Sequence, residues 1–557
     1  MARSIVAPVA ALLLVLSVTP LRAQHAADPA TYPVIPRPAV LTPASGRFTI
    51  TARTVLRADP SFAAVARRFV RDIEGPTGFT LAVVPSATGG GAGSIRLLRA
   101  RGALATTLGA EGYQLDVTPA GVTVRAAAPA GAFYGLGTLR QLLPPSIYRA
   151  ASSGATTWSA PAVHIEDTPR FTWRGAHLDA GRHFMPKEFV LKYIDQLAHM
   201  RMNTFHWHLT EDQGWRIEIR KYPRLTSVGS CRAQTLVGPF VADPAKRVFD
   251  KVPHCGFYTQ DDVREVVAYA AARFVTVVPE IEMPGHAQAA IAAYPELGVR
   301  RDTSVEVFQV WGTSDVILNP TDATVRFMQD VLTEVMGLFP SRFIHIGGDE
   351  AGKSQWQASA EVQARIRALG LKDEHEMQSW FIRQMDTFLT THGRRLIGWD
   401  EILEGGLAEN ATVMSWRGTD GGIAAAQANH DVIMAPGSHT YFDHLQSQDK
   451  AAEPLSIGGF LPIDTVYSFE PVPRELTAAQ ARHILGAQAQ LWTEYIPDPK
   501  ALEYMAFPRM SALAEVLWTA PARKDFADFM QRLPAQLQRY EAMDVKYRKP
   551  ESTVIRQ

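Results

Sequence analysis

Phe343-Ile344-His345-Ile346-Gly347-Gly348-Asp349-Glu350 is a short apolar run that ends in two glycines and then two adjacent carboxylates. Glycine lets the chain bend sharply and lets a ligand approach the backbone closely. Carboxylates at the carboxyl end of a buried strand are where a (β/α)8 barrel keeps its chemistry. Taken alone, Gly-Gly-Asp-Glu also fits a solvated surface turn, so its meaning depends on its surroundings.

Outward from this stretch, short strand-like runs alternate with longer helical ones. Strands are expected at residues 171–179, 203–209, 274–280, the run ending at 349, 395–399, 412–415, 431–434 and 486–491. Helices are expected at 187–200, 261–273 and 324–339. Strands alternating with helices imply a parallel sheet, and about eight units over roughly 350 residues fit a closed barrel. A doubly wound open sheet is the alternative, but no Gly-x-Gly-x-x-Gly opens a helix after a first strand.

Upstream, residues 112–117 and 121–125 alternate as paired strands around Pro119-Ala120. Residues 130–143 read as a helix, and 86–94 as a Gly/Ala/Ser-rich surface loop. The fold class expected is α/β: a (β/α)8 TIM barrel preceded by a small α+β domain. The expected divisions are a leader at 1–23, the α+β domain at 24–167, the barrel at 168–523 and a helical tail at 524–557.

The chain has 557 residues, 46% hydrophobic and 20% charged, which suits a globular enzyme of more than one domain. Lys+Arg and Asp+Glu both number 56, so no basic excess points to nucleic acid. Met-Ala-Arg-Ser, an apolar run over residues 5–18 and Leu21-Arg22-Ala23 read as a secretory signal cut after Ala23. The run is shorter than the ~20 residues of a membrane span. The expected location is therefore periplasmic or secreted, with no membrane span. Cys231 and Cys255 are the only cysteines; they could pair in an oxidising compartment or stand as two buried thiols.

Polar and aromatic residues gather at the expected strand ends. The first strand offers Arg174 and Asp179, with Arg182 and His183 beyond; the second offers His206, His208, Glu211 and Asp212. Pro279 to His286 follows the third strand, and later ends carry Trp399-Asp400-Glu401, Trp416, Tyr441-Phe442-Asp443 and Trp492-Thr493-Glu494. Residues i and i+2 of a strand face one way, so Trp492 and Glu494, or Tyr441 and Asp443, can share a cavity. An aromatic wall beside a carboxylate suits a sugar, whose apolar face stacks while its hydroxyls bond to charge. Adjacent strand residues diverge, so Asp349 and Glu350 are expected to serve different atoms, one with a raised pKa and one ionised.

These residues carry a resemblance. His345 to Glu350, with Trp-His-Leu-Thr-Glu-Asp-Gln-Gly-Trp-Arg at 207–216, Pro-Glu-Ile-Glu-Met-Pro-Gly-His at 279–286 and Leu-Trp-Thr-Glu at 491–494, resembles glycoside hydrolase family 20. Its members are β-N-acetylhexosaminidases, and the likeness spans residues 32–518. It implies an exo-acting, retaining enzyme that releases terminal β-linked N-acetylglucosamine, and also N-acetylgalactosamine, from an oligosaccharide or glycoconjugate. The substrate's own 2-acetamido oxygen would attack C1 and form an oxazolinium, an exception to the two-carboxylate scheme. Implied roles are Glu350 as proton donor and then base, and Asp349 as holder of the acetamido N–H. Arg174, Asp443 and Glu494 would bind sugar hydroxyls, and Tyr441 the acetamido oxygen. Trp399, Trp416 and Trp492 would form walls. His286 would support Glu350, partnered by an aspartate where this chain has Glu211, one methylene longer. No metal or cofactor is implied.

Two other readings stand beside this one. His206 and His208 point the same way on a strand and, with Glu282, His286 and Asp349, could form the site of a metal-dependent barrel hydrolase. A non-catalytic sugar-binding protein would keep the tryptophans and lose the acid, whereas both Asp349 and Glu350 are present.

Overall fold

The computed structural model describes residue 28 and residues 30–551, except 86–90, 153, 155 and 302–304. The expected leader lies outside the described residues, as does part of the loop expected at 86–94. Among the described residues no helix is long and apolar enough to cross a membrane.

Residues up to Asp167 form a seven-stranded mixed sheet. The antiparallel part runs Val40–Thr49, Ser159–Asp167, Tyr113–Thr118 and Gly121–Ala126; Ser94–Arg99, Val55–Ala58 and Ala82–Val84 then continue it in parallel. The hairpin read around Pro119-Ala120 is present, with Thr118 opposite Gly121. Helices Ala63–Thr77 and Pro129–Gln141 pack on the sheet and on each other, burying Phe69, Ile73, Leu136 and Leu139 against Leu115 and Val124. Burial of apolar area of this kind is the main favourable term in such a layer.

The second part is a closed barrel of eight parallel strands: β1 Trp173–Asp179, β2 Thr204–His208, β3 Thr276–Glu280, β4 Phe343–His345, β5 Arg395–Trp399, β6 Thr412–Ser415, β7 Val432–Met434 and β8 Ile484–Ala489. β8 pairs with β1 and closes the ring. Seven of these strands start and stop within two residues of the expected ends; β4 is shorter, stopping at His345 rather than 349. The helix expected between strands is missing after β5, where only the single turn Asp400–Leu403 separates it from β6.

Side chains alternate along each strand. Ala176, Leu178, Phe205 and Trp207 face the surrounding helices, whereas Trp173, Val278, Ile397, Met414 and Ile433 fill the lumen. Above that apolar floor lies a polar layer of His177, His206, His208, Glu280, His345 and Gln488, all fully or almost fully buried.

The two parts are locked together at the amino-terminal end of the barrel. Asp167 accepts from Arg201 at 2.7 Å, from the Trp518 indole at 2.9 Å and from Tyr113 at 2.9 Å. The last long helix, Phe526–Ala542, returns to the first domain: Arg532 donates to the Val34 carbonyl, and Arg539 to the carbonyls of Pro33 and Gln141. A cleft of about 460 Å³ opens between the domains there. Several of its cations are paired within the seam, Arg68 with Asp72 and Arg273 with Asp195.

Candidate active site

The site begins where β4 ends. Gly347 and Gly348 have φ of +67° and +94°, and a Cβ on Gly347 would overlap the Glu282 carboxylate. Only glycine fits there. The turn delivers Glu350 at φ +44°, and opposite it stands His286 at φ +47°; both are non-glycine residues in the sparsely populated left-handed region. Such strain clusters at working sites because the surroundings over-determine it. The two residues meet: His286 Nε2 lies 3.4 Å from Glu350 Oε2 and 3.5 Å from Asp349 Oδ2. The acids therefore do not diverge as strand neighbours would. They are turn residues that share one imidazole.

Their settings differ. The Asp349 side chain is 10% exposed and that of Glu350 is 42% exposed. Burial, helped by the Glu280 and Glu350 charges, lifts the Asp349 carboxyl to about 6 although His286 opposes it. The His286 hydrogen bond holds Glu350 below the usual carboxylate range. The two acids are thus split as expected, one raised and one ionised, but the raised one is Asp349, because Glu350 is the acid facing solvent and imidazole. His286 is itself raised: burial opposes its charge, but Glu211 and Asp349 outweigh burial. Its Nδ1 lies 2.7 Å from Glu211 Oε1 and 3.3 Å from Asp212 Oδ2, so the extra methylene of Glu211 still reaches.

The aromatic residues converge from different strands. Trp399 and Trp492 have centroids 5.7 Å apart, Tyr441 and Trp492 6.4 Å, and Trp416 stacks near Tyr441 at 6.2 Å. Trp399 and Trp416 are fixed by indole N–H bonds to Glu280 and Glu401. Asp443, Trp492 and Glu494 line one recess with Leu455 and Ile457. These four residues, 441, 443, 492 and 494, lie beyond the strands rather than on them, so the loops bring them together. Asp443 Oδ1 is a buried acceptor with no partner, and burial beside Glu494 raises its carboxyl well above the usual range. An acceptor in that state suits an incoming hydroxyl donor.

Arg174 is not in the site. It is the second residue of β1, about 17 Å from the strand's carboxyl end at ~3.3 Å per residue. It also points outward, between the inward Trp173 and Gly175. Its guanidinium is fully buried in the domain seam, bonded to Glu111 at 2.6 and 3.1 Å and to the carbonyls of Phe171 and Arg201. The arginine at the mouth is Arg182, in the loop after β1. It lies over the Trp492 ring, 3.2 Å from Glu211, 3.3 Å from Asp179 and 3.4 Å from Glu494. The signal for it was its place beyond the strand end.

His206 and His208 do not frame an empty centre. His208 Nδ1 is 2.5 Å from Glu280 Oε2, a direct hydrogen bond that leaves no room for an ion between them. His206 Nδ1 accepts from Gln488 and its Nε2 stands 3.0 Å from the same carboxylate. Glu280 stands in the motif at 279–286 without an assigned role, and Glu282 figures only as a metal ligand, yet both are buried. The two cysteines are joined as a disulfide across paired strands.

Known proteins share both the sequence and the fold. The sequence model "Glycosyl hydrolase family 20, catalytic domain" matches residues 171–521, and "Glycosyl hydrolase family 20, domain 2" matches residues 31–168. A β-hexosaminidase of Porphyromonas gingivalis is 50% identical over 443 residues, covering 79% of this chain and 55% of the relative. One of Vibrio furnissii is 38% identical over 411 residues, covering 73% of this chain and 65% of its own length. This chain thus spans between half and two-thirds of those relatives. A solved structure of a GH20 β-N-acetylhexosaminidase from Streptomyces coelicolor A3(2) superposes with a TM-score of 0.80 at 33% identity, covering 94% of this chain and 98% of that one.

Proposed function

Because the chain belongs to glycosyl hydrolase family 20, we propose that it is an exo-acting, retaining β-N-acetylhexosaminidase that removes terminal non-reducing β-linked N-acetylglucosamine or N-acetylgalactosamine. One observation carries the reading: Asp349 and Glu350 flank a single imidazole, His286, beside a nest of three tryptophans and a tyrosine.

The chemistry follows from the geometry. Asp349 is buried and has a free Oδ1, so an acetamido N–H can donate to it and favour its ionised form. Held in that way, the acetamido oxygen attacks C1 as the C1–O bond to the leaving group breaks and the departing oxygen takes the Glu350 proton. The positive charge on the cyclising amide is stabilised by the adjacent carboxylate. Glu350 is the more exposed acid and faces the leaving oxygen. A bound sugar would displace water from it and raise its pKa toward that of a proton donor. Glu350 then takes a proton from the water that opens the oxazolinium. The aromatic walls exclude other water, and Tyr441 bonds to the acetamido oxygen. Arg182, Asp443 and Glu494 bind the sugar hydroxyls, with Arg182 in the role the sequence reading gave to Arg174.

Export to the periplasm or medium is part of the same proposal, supported by the apolar leader and by the Cys231–Cys255 disulfide. The test is hydrolysis of aryl N-acetylglucosaminide and N-acetylgalactosaminide against the plain β-glucoside, with a thiazoline mimic of the cyclised sugar as inhibitor. Efficient turnover of the β-glucoside, or indifference to the thiazoline, would refute substrate assistance.

A further inference from the structure

We propose that Glu280 is a positioning residue that ties the Trp399 wall to the proton-handling pair through one continuous chain of hydrogen bonds. The proposal rests on Glu350 being the proton donor.

Glu280 ends β3 and its side chain is wholly buried. A carboxylate out of water persists only when its charge is met from all sides. Here four strands supply the groups. The Trp399 indole N–H donates to Oε1 at 2.8 Å; His345 Nδ1 stands 2.8 Å from the same oxygen and accepts from the Gly347 N–H. His208 Nδ1 lies 2.5 Å and His206 Nε2 3.0 Å from Oε2, with His177 Nε2 3.9 Å away. Glu282 lies close enough to feel its charge.

Of these groups it is His208 that leads to the acids. Its second nitrogen meets Glu211 Oε2 at 3.1 Å, so both ring nitrogens face carboxylates and both carry hydrogen. Burial opposes that charge, but Glu280 and Glu211 lift the imidazole to about 10. Glu211 passes its other oxygen to His286 Nδ1 at 2.7 Å, and His286 Nε2 is left facing Glu350 and Asp349. The order Glu280, His208, Glu211, His286, Glu350 alternates in charge from the wall of the pocket to its acid.

An amide at position 280 cannot serve both ends of this chain. If its oxygen accepts from Trp399, its N–H₂ faces the hydrogen on His208 Nδ1. If it is flipped, donor meets donor at Trp399. Either the wall or the relay is lost.

The experiment measures kcat/KM of Glu280→Gln on aryl N-acetylglucosaminides of graded leaving-group acidity, from methylumbelliferyl to 2,4-dinitrophenyl. Dinitrophenolate departs with little protonation, so a fault in the relay is felt least there. The expected result is a loss of about tenfold or more on methylumbelliferyl, within the range of general-acid assistance, shrinking to a few-fold on dinitrophenyl. Trp399→Phe, which breaks only the wall contact, should lose activity equally on all leaving groups. A Glu280→Gln loss independent of the leaving group, or no loss, overturns the proposal. If that variant does not fold, His208→Gln breaks the next link and is read by the same criterion. A wild-type enzyme inert toward every aryl N-acetylglucosaminide would instead remove the underlying functional reading.

Discussion

Replacing the two arginines of the first barrel unit tells a site residue from a seam residue. Both variants should melt lower, since both guanidiniums are buried beside carboxylates, but only Arg182→Gln should also lose substrate affinity. In Arg182→Gln the mouth loses the cation shared by Asp179, Glu211 and Glu494. A hydrogen bond from a charged donor to a sugar hydroxyl contributes about 2–3 kcal/mol, which corresponds to a fall in kcat/KM of about 30- to 150-fold. In Arg174→Gln the loss falls elsewhere. Its partner Glu111 is only 21% exposed, and the guanidinium also satisfies two backbone carbonyls. Removing one partner of a buried ion pair costs about 3–5 kcal/mol, and partial exposure of Glu111 places this case near the lower end, about 3 kcal/mol. The melting temperature should then fall by several degrees, while KM at a temperature where the variant is folded stays at the wild-type value. Steady-state kinetics on a chromogenic N-acetylglucosaminide and a thermal melt of each variant test both halves. A raised KM for Arg174→Gln with an unchanged melt would refute the assignment of Arg174 to the seam.

Glu350→Gln should lower turnover by about 10²–10⁴-fold, the range of general acid–base catalysis, while the thiazoline still binds; wild-type rates would remove Glu350 from its role. Asp349, lifted to about 6 by burial, must ionise to hold the acetamido N–H. Because Glu350 must carry a proton yet is held low, and kcat/KM reports the free enzyme, the profile should be level below about 6 and fall as pH climbs past it. Asp349→Asn should lose both most of the rate and that limb. The effect on stability falls in a lower window: the folded carboxyl holds its proton more tightly than an unfolded one, so its contribution declines as pH climbs from 3.8 to about 6. Gly347→Ala must adopt a left-handed backbone at a cost of about 1–2 kcal/mol and must also displace Glu282. A lower melt and loss of activity together are expected, and an Ala variant with the wild-type melt would show that the turn is not held as described.

Much of this was legible from residues alone, for identifiable reasons. Barrel strands are buried on both faces, so residues 395–399 and 412–415 stand out as apolar runs whose limits coincide with β5 and β6. What failed was depth and direction along a strand. Nothing in the local sequence says that Arg174 enters at the floor of β1 and faces a glutamate 63 positions earlier. Likewise, the run ending at Asp349 reads as one strand until the two glycines are seen to adopt positive φ and swing both acids onto His286. The helix missing after β5 left no trace either, since Asp400–Leu403 has ordinary helical composition. The protonation order of the two acids depends on which is buried beside Glu280 and which is left to solvent and the His286 hydrogen bond, a three-dimensional fact with no counterpart in spacing.

The helix Phe526–Ala542 spans the junction like a clasp, since Arg532 and Arg539 close on carbonyls contributed by Val34, Pro33 and Gln141, 398 to 506 positions upstream. The barrel is therefore not a portable module. Severing the chain on either side of it would uncover a lower rim where Trp518 and Arg201 depend on Asp167. Gene fusions and domain swaps that preserve every pocket residue would still yield an insoluble product unless this return strap travels with its distant anchor.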